Sequence, residues 1–314
     1  MTPEHRSDSI PNSGHAPVFL ERVLEAFRCV PSVTSAWDGT FGRGGHAAAV
    51  LREFPIASLW AMDLDEDAIV YGREAYSDLA KRLRIVQSPF ADFQLFKQNP
   101  TMAWPASFDV MLLDLGVSSP QLDQAARGFS FYHDGPLDMR MDRSQSLTAA
   151  DVVNSWDEQD LARLFIEYGE VHRPFRVVRA IVNDRKAKPY RTTRDLASLI
   201  ERVDGWRKKG SHPATKYFMA LRLEVNSELR QLESTLPVLI DALSPGGVLA
   251  VISFHSLEDR IVKNAFKSSL EKGKLLNKKA IKPSDEEARA NPRARSAKLR
   301  AFQKFLAAEN AKGD

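Results

Sequence analysis

Ala36-Trp37-Asp38-Gly39-Thr40-Phe41-Gly42-Arg43-Gly44-Gly45-His46, running directly into Ala47-Ala48-Ala49-Val50-Leu51, is the stretch from which the fold is read. It has the sequence of a strand end, a glycine-rich turn and a helix start. Glycine suits a backbone at positive φ, or one that a ligand approaches closely. A helix opening behind such a turn offers unpaired N–H groups to a polar ligand. Further on, the apolar run Leu59-Trp60-Ala61-Met62 closes on Asp63. A glycine turn after one strand and an acid ending the next is how open α/β folds hold a nucleoside, with the acid accepting hydrogen bonds from the ribose hydroxyls. A purely structural strand–helix turn is the plainer alternative.

The flanking sequence extends this unit into a sheet. Residues 18–26 have apolar positions at helical spacing and lead into a strand at Ser35–Asp38. The helix after the glycine turn begins at Gly44 or Gly45 and ends before Pro55. A second strand covers Ser58–Asp63, and a helix follows from Asp65-Glu66-Asp67, acids that suit a helix N-terminus. A third strand, Leu83–Gln87, is broken by Ser88-Pro89-Phe90. Phe108-Asp109-Val110-Met111-Leu112-Leu113-Asp114-Leu115 is a near-continuous apolar run, as in a central parallel strand. The order is half of a doubly wound α/β sheet.

After Gly116 the pattern changes. A Gly/Ser/Asp-rich loop over 127–141 precedes helical stretches at 148–154, 157–168, 174–185 and 193–203. This predicts a helical domain inserted into the α/β domain. One long helix over 214–243 then returns the chain to the sheet. A fifth strand over 247–254 follows the turn Ser244-Pro245-Gly246, and a helix over 257–270 and a basic tail complete the chain. The expected divisions are a disordered N-terminus over 1–14, sheet domain over 15–116, helical insert over 117–213, and the remainder of the sheet domain with its tail over 214–314.

The chain has 314 residues, 43% hydrophobic and 27% charged, which is ordinary for a globular protein of about two domains. Its one cysteine, Cys29, excludes an internal disulfide and a Cys-based zinc cluster, and its seven histidines are scattered away from metal-ligand spacing. No metal is expected. Residues 1–16 are polar, without the apolar core of a signal peptide, and no apolar run approaches the ~18 residues of a membrane span. The expectation is a cytoplasmic protein without a membrane partner. Net charge is +3, yet residues 172–216 carry 13 Lys/Arg against 4 Asp/Glu and residues 271–304 carry 11 against 4. Two basic segments on an otherwise acidic chain point to a polyanion, nucleic acid first. Solvated helix faces are the alternative.

Gly42-x-Gly44-x-x-Ala47 also fits a dinucleotide fingerprint. Against it stands Asp38, whose charge at the strand end would repel a pyrophosphate. S-adenosylmethionine has no phosphate and carries a sulfonium and an amine, so an acid there suits it better. Asp114 ends the apolar strand, where an open α/β sheet places its active site, and Gly116-Val117-Ser118-Ser119-Pro120-Gln121 is small and polar beyond it. Ser253-Phe254-His255-Ser256 holds the analogous place after the fifth strand, with His255 either a base or a structural hydrogen-bonder. Phe129, Phe131 and Tyr132 are either core residues or rings against which a flipped base stacks.

Together these words resemble the bacterial ribosomal RNA small-subunit methyltransferase H family, also called MraW. The resemblance runs from His15 to Arg300. It rests on Asp38-Gly-Thr-Phe-Gly-Arg-Gly-Gly-His46, Leu113-Asp-Leu-Gly-Val-Ser-Ser-Pro-Gln121, Arg127-Gly-Phe-Ser-Phe131 and Asp134-Gly-Pro-Leu-Asp-Met-Arg-Met-Asp142. It continues through His212-Pro-Ala-Thr215, Val225-Asn-Ser-Glu-Leu229, Ile252-Ser-Phe-His-Ser-Leu-Glu-Asp-Arg260 and Asn291-Pro-Arg-Ala-Arg-Ser296. It implies a Rossmann-like class I methyltransferase sheet with an inserted α-helical domain. The implied reaction is methylation of N4 of a cytidine of 16S rRNA at the ribosomal decoding centre, with S-adenosylmethionine as cofactor. The implied cofactor contacts are Gly44, Gly45, His46, Asp63, Phe90, Asp114 and Gln121. Lys216-Tyr-Phe-Met219 departs from the family's usual Arg-Thr-Phe-Gln, and the segment between Lys267 and Asn291 is short for the family.

Cytosine N4 is a weak nucleophile, its lone pair conjugated into the ring, and must be held facing the sulfonium methyl. Asp114 is the candidate acceptor for the amine and hence the candidate catalytic residue. The slot Asp114-Leu-Gly-Val117 lacks the aromatic that many amino-methyltransferases carry there, leaving the 129–132 loop as the source of a stacking ring. The expected partner is 16S rRNA within the small subunit, and a homodimer stays open. An NAD(P) dehydrogenase and a non-catalytic RNA-binding protein are the other two classes. The first leaves the basic segments unexplained and the second the cofactor turn.

Overall fold

The computed structural model describes residues 17–205 and 212–306. The N-terminal segment expected to be disordered, 1–14, lies outside the described residues, as do Arg207, Lys208 and Lys209 of the first basic segment. The elements in chain order are α1 (Leu20–Phe27), β1 (Ser35–Asp38), α2 (Gly45–Glu53), β2 (Ser58–Asp63), α3 (Glu66–Ala75), β3 (Leu83–Gln87), α4 (Phe93–Lys97) and β4 (Phe108–Asp114). Then come α5 (Ser119–Asp123), α6 (Ala149–Ser155), α7 (Glu158–Glu167), α8 (Phe175–Asp184), α9 (Thr193–Asp204), α10 (Thr215–Val225) and α11 (Glu228–Ala242). The chain closes with β5 (Leu243–Ser253), α12 (Ser256–Ser268), β6 (Gly273–Leu275), α13 (Asp285–Ala290) and β7 (Lys298–Lys304). Two compact units result. Residues through Gly116 and from Gln231 onward form one, and Val117–Arg230 the other.

The first unit is a seven-stranded sheet in the order β3-β2-β1-β4-β5-β7-β6. β1 to β5 are parallel, and β7 is antiparallel to both its neighbours. Successive side chains of a strand point to opposite faces, and here both faces are covered. Ala36, Val110, Leu112, Val248 and Ala250 enter one apolar core, with Val23, Ala47 and Leu51 from α1 and α2. Trp37, Met111, Leu113, Leu249 and Val251 enter the other, with Leu236 and Leu239 of α11. Burial on both faces is why these strands read as unbroken apolar runs. The chain order reverses between β1 and β4, so a crevice opens at their C-terminal ends.

Two features depart from the sequence reading. The 271–304 segment is the sheet's far edge, not a tail. Its strand character is hidden by alternating charges: Leu299 and Ala301 join the first core, while Lys298 and Arg300 are neutralised by Asp259 of α12 at 3.0 and 2.7 Å. The predicted long helix over 214–243 is α10 and α11, broken at Asn226 and Ser227. Ser227 is left-handed, φ 51°, and the Asn226 amide donates to the carbonyls of Met139 and Arg222 at 2.8 and 2.9 Å.

The second unit is helical. Its core holds Leu137, Met139, Val152, Leu161, Phe165, Val177, Leu196 and Leu221. Polar side chains organise its long loop. Arg127 donates to the carbonyls of Arg140 and Met141, Arg140 makes a two-point pair with Asp138, and Asn226 accepts from Met141 N–H at 2.8 Å.

Candidate active site

The glycine turn ties together the tips of three strands. Gly39 N–H donates to the Leu112 carbonyl of β4, and Phe41 N–H to the Met62 carbonyl of β2. Thr40 works at both ends: its N–H donates to Asp38 Oδ1 at 3.0 Å, and its Oγ1 accepts from Asp114 N–H at 2.6 Å. Gly42 N–H donates to Asp63 Oδ2 at 2.7 Å, and Asp65 N–H to Asp63 Oδ1 at 2.9 Å. An ionised carboxylate has about four acceptor positions, so Asp63 keeps capacity for further donors. Asp65 in turn caps α3, accepting from Asp67 N–H.

Gly44 sits before α2 at φ 71°. A Cβ there would lie 2.5 Å from the rings of Phe41 and Tyr76, and one on Gly45 would lie 2.5 Å from Pro17. Packing alone thus requires both glycines. Gly42, at φ 54°, has open space where its Cβ would be. His46, in the first turn of α2, is 6% exposed, and neither ring nitrogen has a hydrogen-bond partner among the described residues. Its Nε2 stands 3.6 Å from Asp114 Oδ2, while Asp114 Oδ1 is buried without a partner.

Three acids therefore end β1, β2 and β4. Burial pushes the Asp38 carboxyl up to about 7; the Thr40 N–H and His46 oppose this, and Asp114 and Asp63 add to it. Burial likewise pushes Asp63 up to about 6, against hydrogen bonds from Asp65 and Gly42. A crevice edge that strains to hold negative charge suits a cationic ligand and disfavours a pyrophosphate.

Of the residues named from sequence, Gly44, Gly45, His46, Asp63 and Asp114 lie on or beside this turn. Phe90 follows β3, two residues beyond Ser88, whose N–H donates to the Asp63 carbonyl, and its ring packs on the second apolar core. Gln121 belongs to the helical unit, where its Oε1 accepts from Ser118 N–H at the start of α5. His255 is a helix cap: its Nδ1 accepts from Glu258 N–H, and buried Glu258 accepts from the N–H groups of Phe254 and His255. The His255-x-x-Glu258 spacing is that of a capping box, a signal the sequence reading passed over. Thr40 was also missed as a site-builder, whereas Asp65, read from sequence as an acid at a helix N-terminus, caps α3.

The family comparison completes this picture. A model of the MraW methylase family matches residues 12–305. The chain belongs to the MraW methylase family. Among relatives, the ribosomal RNA small subunit methyltransferase H of Bdellovibrio bacteriovorus is 54% identical over 294 residues, covering 92% of this chain and 88% of that protein. The proteins of the same name from Cyanothece sp. and Magnetococcus marinus are each 45% identical, covering 96% and 93% of this chain and 99% and 98% of their own lengths. The sequence words that carried the resemblance fall into two kinds. Asp38–His46 and Leu113–Gly116 build the strand-tip crevice. Arg127, Asp138, Arg140 and Asn226 hold the long loop of the helical unit. Phe129 is buried in that unit's core, so of the two roles open to it from sequence it takes the structural one. No helix of the described residues is long and apolar enough to cross a membrane.

Proposed function

We propose that this methylase transfers a methyl group from S-adenosylmethionine to the exocyclic N4 of a cytidine in small-subunit (16S) ribosomal RNA, at the decoding centre. The observation that carries the reading is the carboxylate edge formed by Asp38, Asp63 and Asp114, with Asp114 Oδ1 and both nitrogens of His46 buried without partners. These groups fit a ligand that brings a cation, an amine and hydroxyls. A dinucleotide would set its pyrophosphate against the same acids. The relatives, ribosomal RNA small subunit methyltransferases by name, support ribosomal RNA as the substrate.

Asp63 would accept from the ribose hydroxyls, while the open backbone at Gly42 allows close approach. Gly44, Gly45 and His46 would line the ligand from the start of α2, with Phe90 packing from the β3 side; Gln121 is the remaining contact that the resemblance implies. The cofactor supplies a methyl group already made electrophilic by its sulfonium. The remaining work falls to the chain. Asp114, accepting a hydrogen bond from the cytosine amine, would turn the nitrogen lone pair out of conjugation, stabilise the positive charge that develops on N4 as the methyl–sulfur bond breaks to a neutral thioether, and stand where the proton shed by N4 can be taken up. His46 Nε2 stands 3.6 Å from Asp114 Oδ2, beyond hydrogen-bond distance, which leaves both groups open to the ligand.

The test uses purified protein, undermethylated small subunits and S-adenosylmethionine, followed by nuclease digestion and mass spectrometry of the nucleosides. The expected product is N4-methylcytidine at one position, formed far more slowly by Asp114→Asn with near-normal cofactor binding. A methyl group on another atom or base would overturn the substrate assignment.

A further inference from the structure

The helical unit carries a group of packed rings built on Phe131 and Tyr132. Tyr132 is 72% exposed, on a loop whose backbone is held firmly. Thr193 N–H donates to the Gly135 carbonyl, Gly135 N–H donates to Thr193 Oγ1 at 3.2 Å, and Arg194 N–H to Asp134 Oδ1 at 3.1 Å. Leu137 N–H donates to the Arg191 carbonyl, so the loop is laced to the start of α9. Beneath Tyr132 lies Phe131, with ring centroids 4.8 Å apart. Phe131 in turn lies 4.5 Å from His212 at an interplanar angle of 33° and meets Phe218 edge-on at 4.9 Å. The result is a shelf of tilted rings, Tyr132 at 38° to Phe131 and at 69° to His212, with its outermost ring in solvent.

The charge beside the shelf selects its occupant. Arg191 and Arg194 are exposed and form no salt bridge among the described residues. The nearby acids are already engaged: Asp134 accepts from the α9 backbone, and Asp195 pairs with Lys188 at 3.0 Å. An exposed aromatic face flanked by exposed guanidinium groups matches a base with its phosphates, because every nucleobase has a face to stack and the backbone supplies the anions. A protein partner would be met better by a broad apolar patch than by one ring edged with cations.

We propose that the Tyr132–Phe131–His212 shelf stacks an unpaired nucleobase of the RNA substrate, with Arg191 and Arg194 on the adjoining phosphates. This rests on the reading of the chain as an RNA methylase and adds a contact to it. Stacking is tolerant of base identity. The shelf therefore sets grip and register, while the choice of cytidine stays at the strand tips.

The experiment uses the full chain and a short unstructured RNA carrying 2-aminopurine, whose fluorescence is quenched when it stacks. Wild-type protein is expected to quench the probe. Tyr132→Ala should lose the quenching and weaken binding roughly 5- to 150-fold, the usual range for one base–aromatic stack. Tyr132→Phe should keep both, which a role through the hydroxyl would not. Arg191→Gln with Arg194→Gln should lower the salt slope of binding by up to about 0.7 per lost phosphate contact. Wild-type quenching and affinity in Tyr132→Ala would overturn the shelf. Methylation of small subunits, assayed in parallel, reports on the methylase reading alone: its absence in a wild-type protein that quenches normally would sink that reading and leave the shelf standing.

Discussion

Asp38, 3% exposed, carries a carboxyl whose folded value near 7 lies above the ordinary value of 3.8. The sign follows from proton linkage. The folded form holds the proton more tightly than the unfolded chain, so this group's contribution to stability is fully present below about pH 4 and is lost as pH rises through about 7. Asp38→Asn should therefore stabilise the ligand-free protein at pH 8 by a few kcal/mol and by much less at pH 5, as thermal melts at the two values would show. The same substitution should weaken binding of the cationic cofactor, and a variant no more stable at pH 8 would mean that Asp38 is not strained. Asp63 is expected to act differently. Its hydrogen bonds from Gly42 and Asp65 fix its direction, so Asp63→Ala should weaken S-adenosylmethionine by roughly 1.5–3 kcal/mol in calorimetric titration, the loss expected for charge-assisted bonds to hydroxyls. Unchanged affinity would move the ribose contact elsewhere on the turn.

The turn between β1 and α2 couples ligand approach to packing. From sequence, Gly44→Val is expected to remove cofactor binding while sparing the fold. The structure alters half of that expectation. Positive φ costs a non-glycine residue about 1–2 kcal/mol, and a side chain driven into Phe41 and Tyr76 adds roughly 1–3 kcal/mol of overpacking. Gly44→Val should thus lower the denaturation midpoint as well, whereas Gly42→Ala, in open space, should carry only the backbone cost. Equal midpoints for the two variants would contradict this. In the helical unit the break between α10 and α11 plays the corresponding part. Asn226 satisfies two carbonyls and one N–H at 2.8–2.9 Å; the Arg222 carbonyl also accepts from the Asn226 N–H, so Asn226→Ala leaves the Met139 carbonyl and the Met141 N–H short and should cost about 2–4 kcal/mol. Hydrogen exchange should show the loss first around Met139 and Met141, and uniform exchange across the chain would argue against a local role.

Across the chain, segment charge overstates the surface offered to RNA. In 271–304, Lys272 pairs with Asp241, Lys298 and Arg300 with Asp259, and Lys304 donates to the Asp241 and Leu243 carbonyls. Lys278, Lys279 and Lys282 are exposed and in no salt bridge among the described residues. Neutralising these three with Gln should flatten the salt dependence of RNA binding by up to about 0.7 in slope per lost contact, with cofactor affinity and base choice unchanged. Filter binding at several salt concentrations decides it, and an unaltered slope would mark the three as solvated surface.

The parallel strands were legible because both faces of each are buried, which writes a run of apolar residues into one short segment. The glycine turn and the acids at the strand ends were legible for the same reason: strand, turn and helix start are neighbours along the chain. What could not be read locally depends on residues far apart in sequence. β7 looks like a basic tail until Asp259 arrives from α12 to neutralise Lys298 and Arg300. α10 and α11 look like one helix until Asn226 finds the Met139 carbonyl. Phe129 fits a core or a stacking platform equally well until the helical unit closes over it, and His255 fits a base or a cap until Glu258 fills its N-terminal turn. Composition and spacing placed the carboxylates at the strand ends. Only folding brought His46 to within 3.6 Å of Asp114 and withheld a partner from each, because burial and the hydrogen bonds left unmade exist only once distant segments exclude water together.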